Sequence, residues 1–286
     1  MFTENQLSEI KKLISPEKKV VIITHYNPDG DAIGSALGLK HFLNNMGVEP
    51  TVLAPNDFPK FLKWMPDAKK VVIAEYKRKT AGEAIYKADV IFCLDFNAHN
   101  RIGILGDWLM KSWAKKILID HHQQPEDFDY VYSDVTIPAT CQMVYHFIEA
   151  LGREDLVDQN VAECLYTGIM TDTGGFRFRS TSATTHRIVA NLIEKGANPA
   201  MITSNTWDTN SVSRLHLLSL ILGRIELVKD GKVAVLYLKR EELKEFGFEK
   251  GDTEGFVNYG LSIAGTKMAA FFMEDLHEDY IKISFR

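Results

Sequence analysis

Through the first two thirds of the chain, short β-branched runs alternate with longer helical stretches, and the polar clusters fall where the short runs end. KKVVIIT (18–24), VEPTVLAP (48–55), KKVVIA (69–74), ADVIFCLD (88–95) and AKKILID (114–120) read as strands. DAIGSALGLKHFLNNMG (31–47), closed by Gly47, TCQMVYHFIEALG, NVAECLYTGIMTDTG and TTHRIVANLIEKG read as helices. Continuous apolar strands interleaved with helices imply an α/β fold: a mostly parallel sheet covered on both faces. In such a sheet a ligand sits at the carboxyl ends of the strands, so the polar clusters are predicted to share one site.

The texture changes after Gly196. Residues 1–196 are expected to form the larger domain, 197–210 a polar linker, and 211–286 a smaller α/β domain. That second domain reads as SRLHLLSLILGRIEL, then GKVAVLYLKR, a charged helix EELKEFG, and strands TKMAAFFME and DYIKISFR. MFTENQLSEIKKLI has apolar residues at helical spacing and no small-residue cleavage site, so a first helix is expected, not a leader. No apolar run approaches the roughly 20 residues of a membrane helix. Cys93, Cys141 and Cys164 are odd in number and lie in apolar segments, which predicts no disulfide framework and a reducing cytoplasm. The balance of 33 basic against 38 acidic residues, net −5, argues against holding long duplex nucleic acid and leaves room for a short or metal-bridged anion.

Four clusters carry chemistry. In His25-Tyr26-Asn27-Pro28-Asp29-Gly30-Asp31, a Pro-Gly turn with Asp31 as helix N-cap would explain Pro28, Gly30 and Asp31. It leaves His25 and Asp29 over, and an imidazole with two nearby carboxylates is what a hard or borderline divalent metal takes as ligands. Asp95 ends the strand VIFCLD. Asp120-His121-His122 ends KKILID, where Asp120 can hold an imidazole nitrogen as carboxylates do beside metal-bound histidines. Asp172 in TDTGGFR falls at a helix C-terminus, an unfavourable place for a negative charge without a compensating cation.

Taken in order, HYNPDGDAIGSALGL, LDFN, DHHQQP and TDTGGFRF resemble the four motifs of the DHH-family phosphoesterases. The chain is most similar to the DHH–DHHA1 group of nanoRNase and phosphoadenosine-phosphate phosphatase type, and FRFRSTSATTHRIVANLIEKGANP, SRLHLLSLILGRIEL and DTEGFVNYGLSIAGTKMAAFF extend the resemblance over nearly its whole length. The resemblance implies a DHH catalytic domain followed by a DHHA1 substrate domain. It implies two Mn2+ ions, with Mg2+ or Co2+ as alternatives, held by His25, Asp29, Asp31, Asp95, His121 and Asp172, with Asp95 bridging. Catalysis would involve His122, Asp95 and Asp120, His122 meeting the phosphoryl group, and Arg101, His99 and Arg286 would bind substrate phosphate. The family pattern continues past an Arg like Arg286 into a Gly-Gly-Gly-His segment, so the second domain is expected to be incomplete at its C-terminus. The implied activity is Mn2+-dependent hydrolysis of short single-stranded RNA, and of adenosine 3′,5′-bisphosphate. Hydrolysis of cyclic di-AMP or linear pApA is one alternative, and a catalytically silent nucleotide sensor is another.

Overall fold

The computed structural model describes residues 2–249 and 251–286. The chain divides into two compact units, Met1–Thr206 and Trp207–Arg286. The first begins with α1 (Glu4–Leu13), whose start is fixed by a reciprocal pair: the Thr3 hydroxyl accepts from Gln6 N–H, and the Gln6 side chain accepts from Thr3 N–H at 2.9 Å. Then follow β1 (Val20–Ile23), α2 (Gly30–Asn45), β2 (Thr51–Ala54), β3 (Val72–Ile73), α3 (Arg78–Lys87), β4 (Val90–Leu94), α4 (Ile104–Lys111), β5 (Lys115–Asp120), β6 (Tyr130–Ser133), α5 (Thr140–Leu151), α6 (Gln159–Asp172), α7 (Ala183–Glu194) and α8 (Pro199–Thr206).

The six strands form one sheet in the order β3-β2-β1-β4-β5-β6, every neighbouring pair parallel, as the alternation of strands and helices predicts. Its central strands are apolar throughout because both faces are covered. Val20, Ile22, Phe92, Ile117 and Ile119 point to one core with Ile33 and Leu37 of α2, Phe147 of α5 and Ile169 of α6. Val21, Ile23, Ile91, Cys93 and Leu118 point to the other, with Ile85 of α3 and Leu105 of α4. Each such side chain contributes about 1.5–3 kcal/mol by leaving water.

The differences from the sequence reading are local. β6, α3 and α4, of four, ten and eight residues, are elements that the sequence reading does not include. Of 69–74, only Val72 and Ile73 join the sheet, because a 3-10 turn over Ala68–Lys70 takes the preceding residues. Most of the segment expected as a linker is the helix α8, whose Ile202 is fully buried in the first unit's main core. Two adjacent apolar anchors, Met201 and Ile202, in a polar stretch are invisible to an average over composition.

The second unit holds α9 (Val212–Gly223), β7 (Glu226–Val228), β8 (Val233–Leu238), α10 (Arg240–Glu245), α11 (Phe256–Leu261), β9 (Met268–Glu274) and β10 (Ile281–Phe285). Its sheet runs β10-β9-β8-β7, with β8 and β9 parallel and the outer pairs antiparallel. Leu217, Ile221, Leu236, Phe256 and Phe271 fill a separate core. Among the described residues no helix is long and apolar enough to cross a membrane, and Cys93, Cys141 and Cys164 are free and buried.

Candidate metal centre

From β1 the chain winds outward through β2 to β3, then returns to place β4 on the other side of β1. Such a reversal opens a crevice at the carboxyl ends of the two central strands, the place where open α/β sheets take ligands. His25 follows β1, Asp95 follows β4 directly, and Asp120 is the last residue of β5. The parallel order therefore brings three of the four sequence clusters to one edge.

The loop after β1 is tied on two sides. Asn27 N–H donates to Asn56 Oδ1 at 2.7 Å and Asn56 Nδ2 donates to Asn27 Oδ1 at 2.8 Å, while Tyr26 N–H donates to the Arg101 carbonyl at 2.7 Å. The loop ends at Asp29, which is the N-cap of α2: its Oδ1 accepts from the N–H groups of Asp31 and Ala32, each at 3.1 Å. The cap expected at Asp31 is thus two residues earlier, at Asp29, and Asp31 instead sits in the first turn, fully buried.

The fourth cluster arrives by helix packing. Gly30, Gly34 and Gly38 recur every four residues on α2 and face α6. A Cβ on Gly30 would lie 2.4 Å from Thr171 Oγ1, on Gly34 2.6 Å from the Cys164 carbonyl oxygen, and on Gly38 2.6 Å from Leu165 Cδ2. From the other side, a Cβ on Gly168 would meet Cys141 Sγ at 2.1 Å and Asp31 Oδ1 at 2.9 Å. The two helices run in opposite senses along this stripe, so the C-terminal end of α6, with Asp172, meets the N-terminal end of α2, with Asp31.

Three groups of ligand atoms result, each within 4.8 Å: His25, Asp29 and Asp95; Asp31, His121 and Asp172; and Asp95, His121 and His122. His25 Nε2 is 3.8 Å from Asp29 Oδ1 and 3.5 Å from Asp95 Oδ2. His121 Nε2 is 3.4 Å from Asp172 Oδ2, 3.5 Å from Asp95 Oδ1 and 3.9 Å from Asp31 Oδ2. These spacings exceed good hydrogen bonds, whereas two ligands on one ion at about 2.1 Å each lie about 3–4 Å apart. Both imidazoles are turned for this. His25 Nδ1 is engaged by the Tyr26 carbonyl at 2.9 Å and His121 Nδ1 by the Ile137 carbonyl at 3.2 Å, which leaves each Nε2 facing the carboxylates. The donor set of imidazole nitrogens and carboxylate oxygens suits divalent first-row ions. Asp95 stands between the groups, one oxygen toward His25 and the other toward His121. It adopts φ +64°, a left-handed conformation that Asp tolerates better than most residues, and is held there by its N–H to the Ile119 carbonyl at 3.2 Å.

The electrostatics express a shortage of positive charge. Burial, then the charges of Asp95 and Asp29, push the Asp31 carboxyl well above the usual range. Burial, then Asp31, Asp29 and Asp95, do the same to Asp172. Burial would depress the His25 imidazole, but Asp29 and Asp95 outweigh it and hold it well above its ordinary value. Burial would also raise Asp95, yet His25, His121 and His122 keep it well below the carboxylate range. Divalent cations held among these groups would relieve the crowding of negative charge.

His122 is arranged differently. Its Nδ1 donates to Asp120 Oδ1 at 2.7 Å, and this bond, against partial burial, raises its affinity for a proton. Asp120 is fully buried and its Oδ2 has no partner among the described residues. Arg101 is exposed in a 3-10 turn over His99–Ile102, with no side-chain partner among the described residues. His99 is engaged locally: its ring and backbone N–H both meet Glu126 Oε2, the latter at 2.9 Å, and the ring stacks on Phe128 at 5.0 Å. Arg286 lies in the second unit, pairing its backbone with Ala269 and lining a small depression with Lys282, Ser284 and Gly255. Hydroxyls that might suggest covalent catalysis have other work: Ser35 donates to the Ala32 carbonyl, Ser182 caps α7, and Thr173 donates to the Ile169 carbonyl.

Sequence reasoning passed over Thr140, the first residue of α5. Its hydroxyl donates to Asp95 Oδ1 at 2.8 Å, its N–H to Asp31 Oδ2 at 2.5 Å, and Cys141 N–H to Asp31 Oδ1 at 2.8 Å. The signal was Ala139, an N-cap without a capping side chain, which leaves the helix's first amides for an outside anion.

Residues 19–169 match the DHH family, N-terminal domain. The chain belongs to the DHH family. This DHH chain is 29% identical over 282 residues, 98% of its own length and 79% of the other's, to the bifunctional oligoribonuclease and PAP phosphatase NrnA of Thermus thermophilus. It is 25% identical over 185 residues, 61% of its length and 28% of the other's, to the cyclic-di-AMP phosphodiesterase PdeA of Listeria monocytogenes. Among solved structures it is similar to an exopolyphosphatase-related protein of Bacteroides fragilis, with 40% identity and a TM-score of 0.95 over 99% of this chain and 83% of that one.

Proposed function

We propose that the chain is a Mn2+-dependent phosphoesterase that hydrolyses short RNA oligonucleotides and removes a phosphate from adenosine 3′,5′-bisphosphate. The observation that carries the reading is Asp95, whose two oxygens address two separate ligand groups, His25 with Asp29 on one side and His121 with Asp31 and Asp172 on the other. Divalent ions held there would polarise a phosphoryl oxygen and lower the pKa of a water molecule. The six ligands supply four carboxylates, which balance two divalent charges and leave substrate phosphate to other cations. Arg101 offers one, at the same end of the sheet. His122 offers another: with Nδ1 fixed on Asp120, its Nε2 is free to donate to a phosphoryl oxygen or to a leaving group. A covalent intermediate is not required.

The similarity to the Thermus relative extends over 98% of the chain, against 61% for the cyclic-di-AMP phosphodiesterase, and this favours nanoRNA and adenosine 3′,5′-bisphosphate over cyclic dinucleotides. A silent sensor would not need all six ligands, and all six are present. Purified protein with Mn2+ is expected to degrade RNA dinucleotides to pentanucleotides and to release phosphate from adenosine 3′,5′-bisphosphate, faster than it attacks pApA or cyclic di-AMP. No turnover of any of the four would overturn the enzyme reading, and preference for the dinucleotides of adenosine would replace the substrate assignment.

A further inference from the structure

The geometry points to Thr140 as a positioning residue that fixes one half of the metal centre, the half made by Asp31, Asp95, His121 and Asp172, and leaves the His25 half to assemble on its own. This rests on the two-ion reading above.

Thr140 makes two hydrogen bonds to two different carboxylates. Its Oγ1 donates to Asp95 Oδ1 and its N–H to Asp31 Oδ2. These are the two oxygens that face His121 Nε2, at 3.5 and 3.9 Å. The oxygen of Asp95 that faces His25, Oδ2, receives nothing from Thr140. A carboxylate oxygen has two lone pairs, so a donor behind it occupies one and aims the other toward the ion. Thr140 therefore holds two carboxylate oxygens of the same half, from two separate elements, at a fixed separation. The residue itself is fully buried, and its hydroxyl is not spent on capping α5, so both of its donors serve the carboxylates. Without the hydroxyl, Asp95 Oδ1 loses its hydrogen-bond donor while Asp31 keeps the amides of Thr140 and Cys141.

The test uses Thr140→Val, which keeps the β-branched shape and removes the hydroxyl, Thr140→Ser, which restores it, and Thr140→Ala as a second deletion. Mn2+ binding to each full-length protein is followed by calorimetry, and the exchange-coupled signal of an ion pair by electron paramagnetic resonance. Wild type and Thr140→Ser should take up two ions and show the pair signal. Thr140→Val and Thr140→Ala should keep one ion at near wild-type affinity and bind the other about 10–100-fold more weakly, the loss typical of a group that orients a metal ligand. Diffraction at the manganese edge should then show depleted occupancy beside His121 and not beside His25. Binding of both ions by Thr140→Val within threefold of wild type, equal weakening at both sites, or failure of both deletion variants to fold overturns the assignment. A wild type that binds no ion pair overturns the two-ion reading itself, an outcome distinct from the others.

Discussion

Replacing Gly34 by Ala separates the part that helix packing plays in the centre from the part played by local propensity. Gly34 lies inside α2, and Ala is the better helix former there by about 1 kcal/mol. On propensity alone the substitution stabilises. The structure opposes this: the new Cβ would lie 2.6 Å from the Cys164 carbonyl oxygen, 3.0 Å from Cys141 Sγ and 3.1 Å from the Gly168 nitrogen. Two of the three are backbone atoms and cannot swing aside. Restoring the first contact to 3.4 Å requires α2 and α6 to part by about 0.8 Å, and overpacking of this kind costs about 1–3 kcal/mol. The expected outcome is a net loss of about 1 kcal/mol instead of a gain. Because α2 carries Asp31 and α6 carries Asp172, a shift several times the roughly 0.2 Å tolerance of metal–ligand distances should weaken Mn2+ binding, and turnover should fall about 100-fold. Gly82→Ala in α3 is the control, since its Cβ meets only Trp108 ring carbons at 3.7–3.8 Å; it should stabilise by about 0.5–1 kcal/mol and leave activity unchanged. The assays are urea unfolding and Mn2+ calorimetry. If Gly34→Ala stabilises like the control and binds Mn2+ as wild type does, the helix stripe has no part in placing the ligands.

Removal of divalent ions should make stability depend on pH in a defined sense. Asp31, Asp172 and His25 have folded-state proton affinities raised above their ordinary values, so the stabilisation that protons provide is complete below the ordinary carboxylate value of about 4 and is lost as pH rises through the raised values. Melting of chelated protein should therefore fall from pH 5 to pH 8 while the Mn2+-loaded protein changes little; parallel profiles would contradict the crowding of these groups. His122→Gln should lower turnover at least about 100-fold and leave Mn2+ affinity within threefold, since His122 is not among the six proposed ligands. Asp120→Asn removes the negative charge from the partner that most raises the His122 proton affinity, so any limb of the pH–rate profile that belongs to His122 should move to lower pH; an unmoved profile would exclude His122 from the titration. Away from the centre, Asp67 is drawn down to about 2, partial burial being outweighed by Lys40 and Lys70. Its contribution is present above pH 4 and lost as pH falls toward 2, so Asp67→Asn should cost about 1–2 kcal/mol at pH 7 and flatten the acid limb of the stability curve.

Much of this centre was legible in the sequence because strand ends are legible. Once 18–24, 88–95 and 114–120 are strands of a parallel sheet, His25, Asp95 and the Asp120-His121-His122 run must lie along one edge. Asp172 was legible only as a charge in the wrong place, at a helix C-terminus; that it meets Asp31 depends on a glycine stripe whose meaning requires knowing which helix it faces. Thr140 was passed over because a Thr opening an apolar helix reads equally as a cap, although Ala139 before it offers no capping side chain. His99 looked free beside Arg101, whereas Glu126 and Phe128, from a loop 27 residues on, engage it. The helix over Pro199–Thr206 was hidden by the polar residues around it and is held by the buried Ile202 and Thr206, with Met201 packed on the same core. In each case the missing information was a contact between elements distant in sequence.

Asp95, with one oxygen toward each ligand group, is proposed to join two ion sites. Crystals grown with Mn2+, with diffraction recorded on both sides of the manganese absorption edge, address it directly. Two anomalous peaks are expected, one in contact with His25, Asp29 and Asp95 Oδ2 and the other with Asp31, His121, Asp172 and Asp95 Oδ1. A single peak, or two peaks that do not share Asp95, would contradict it.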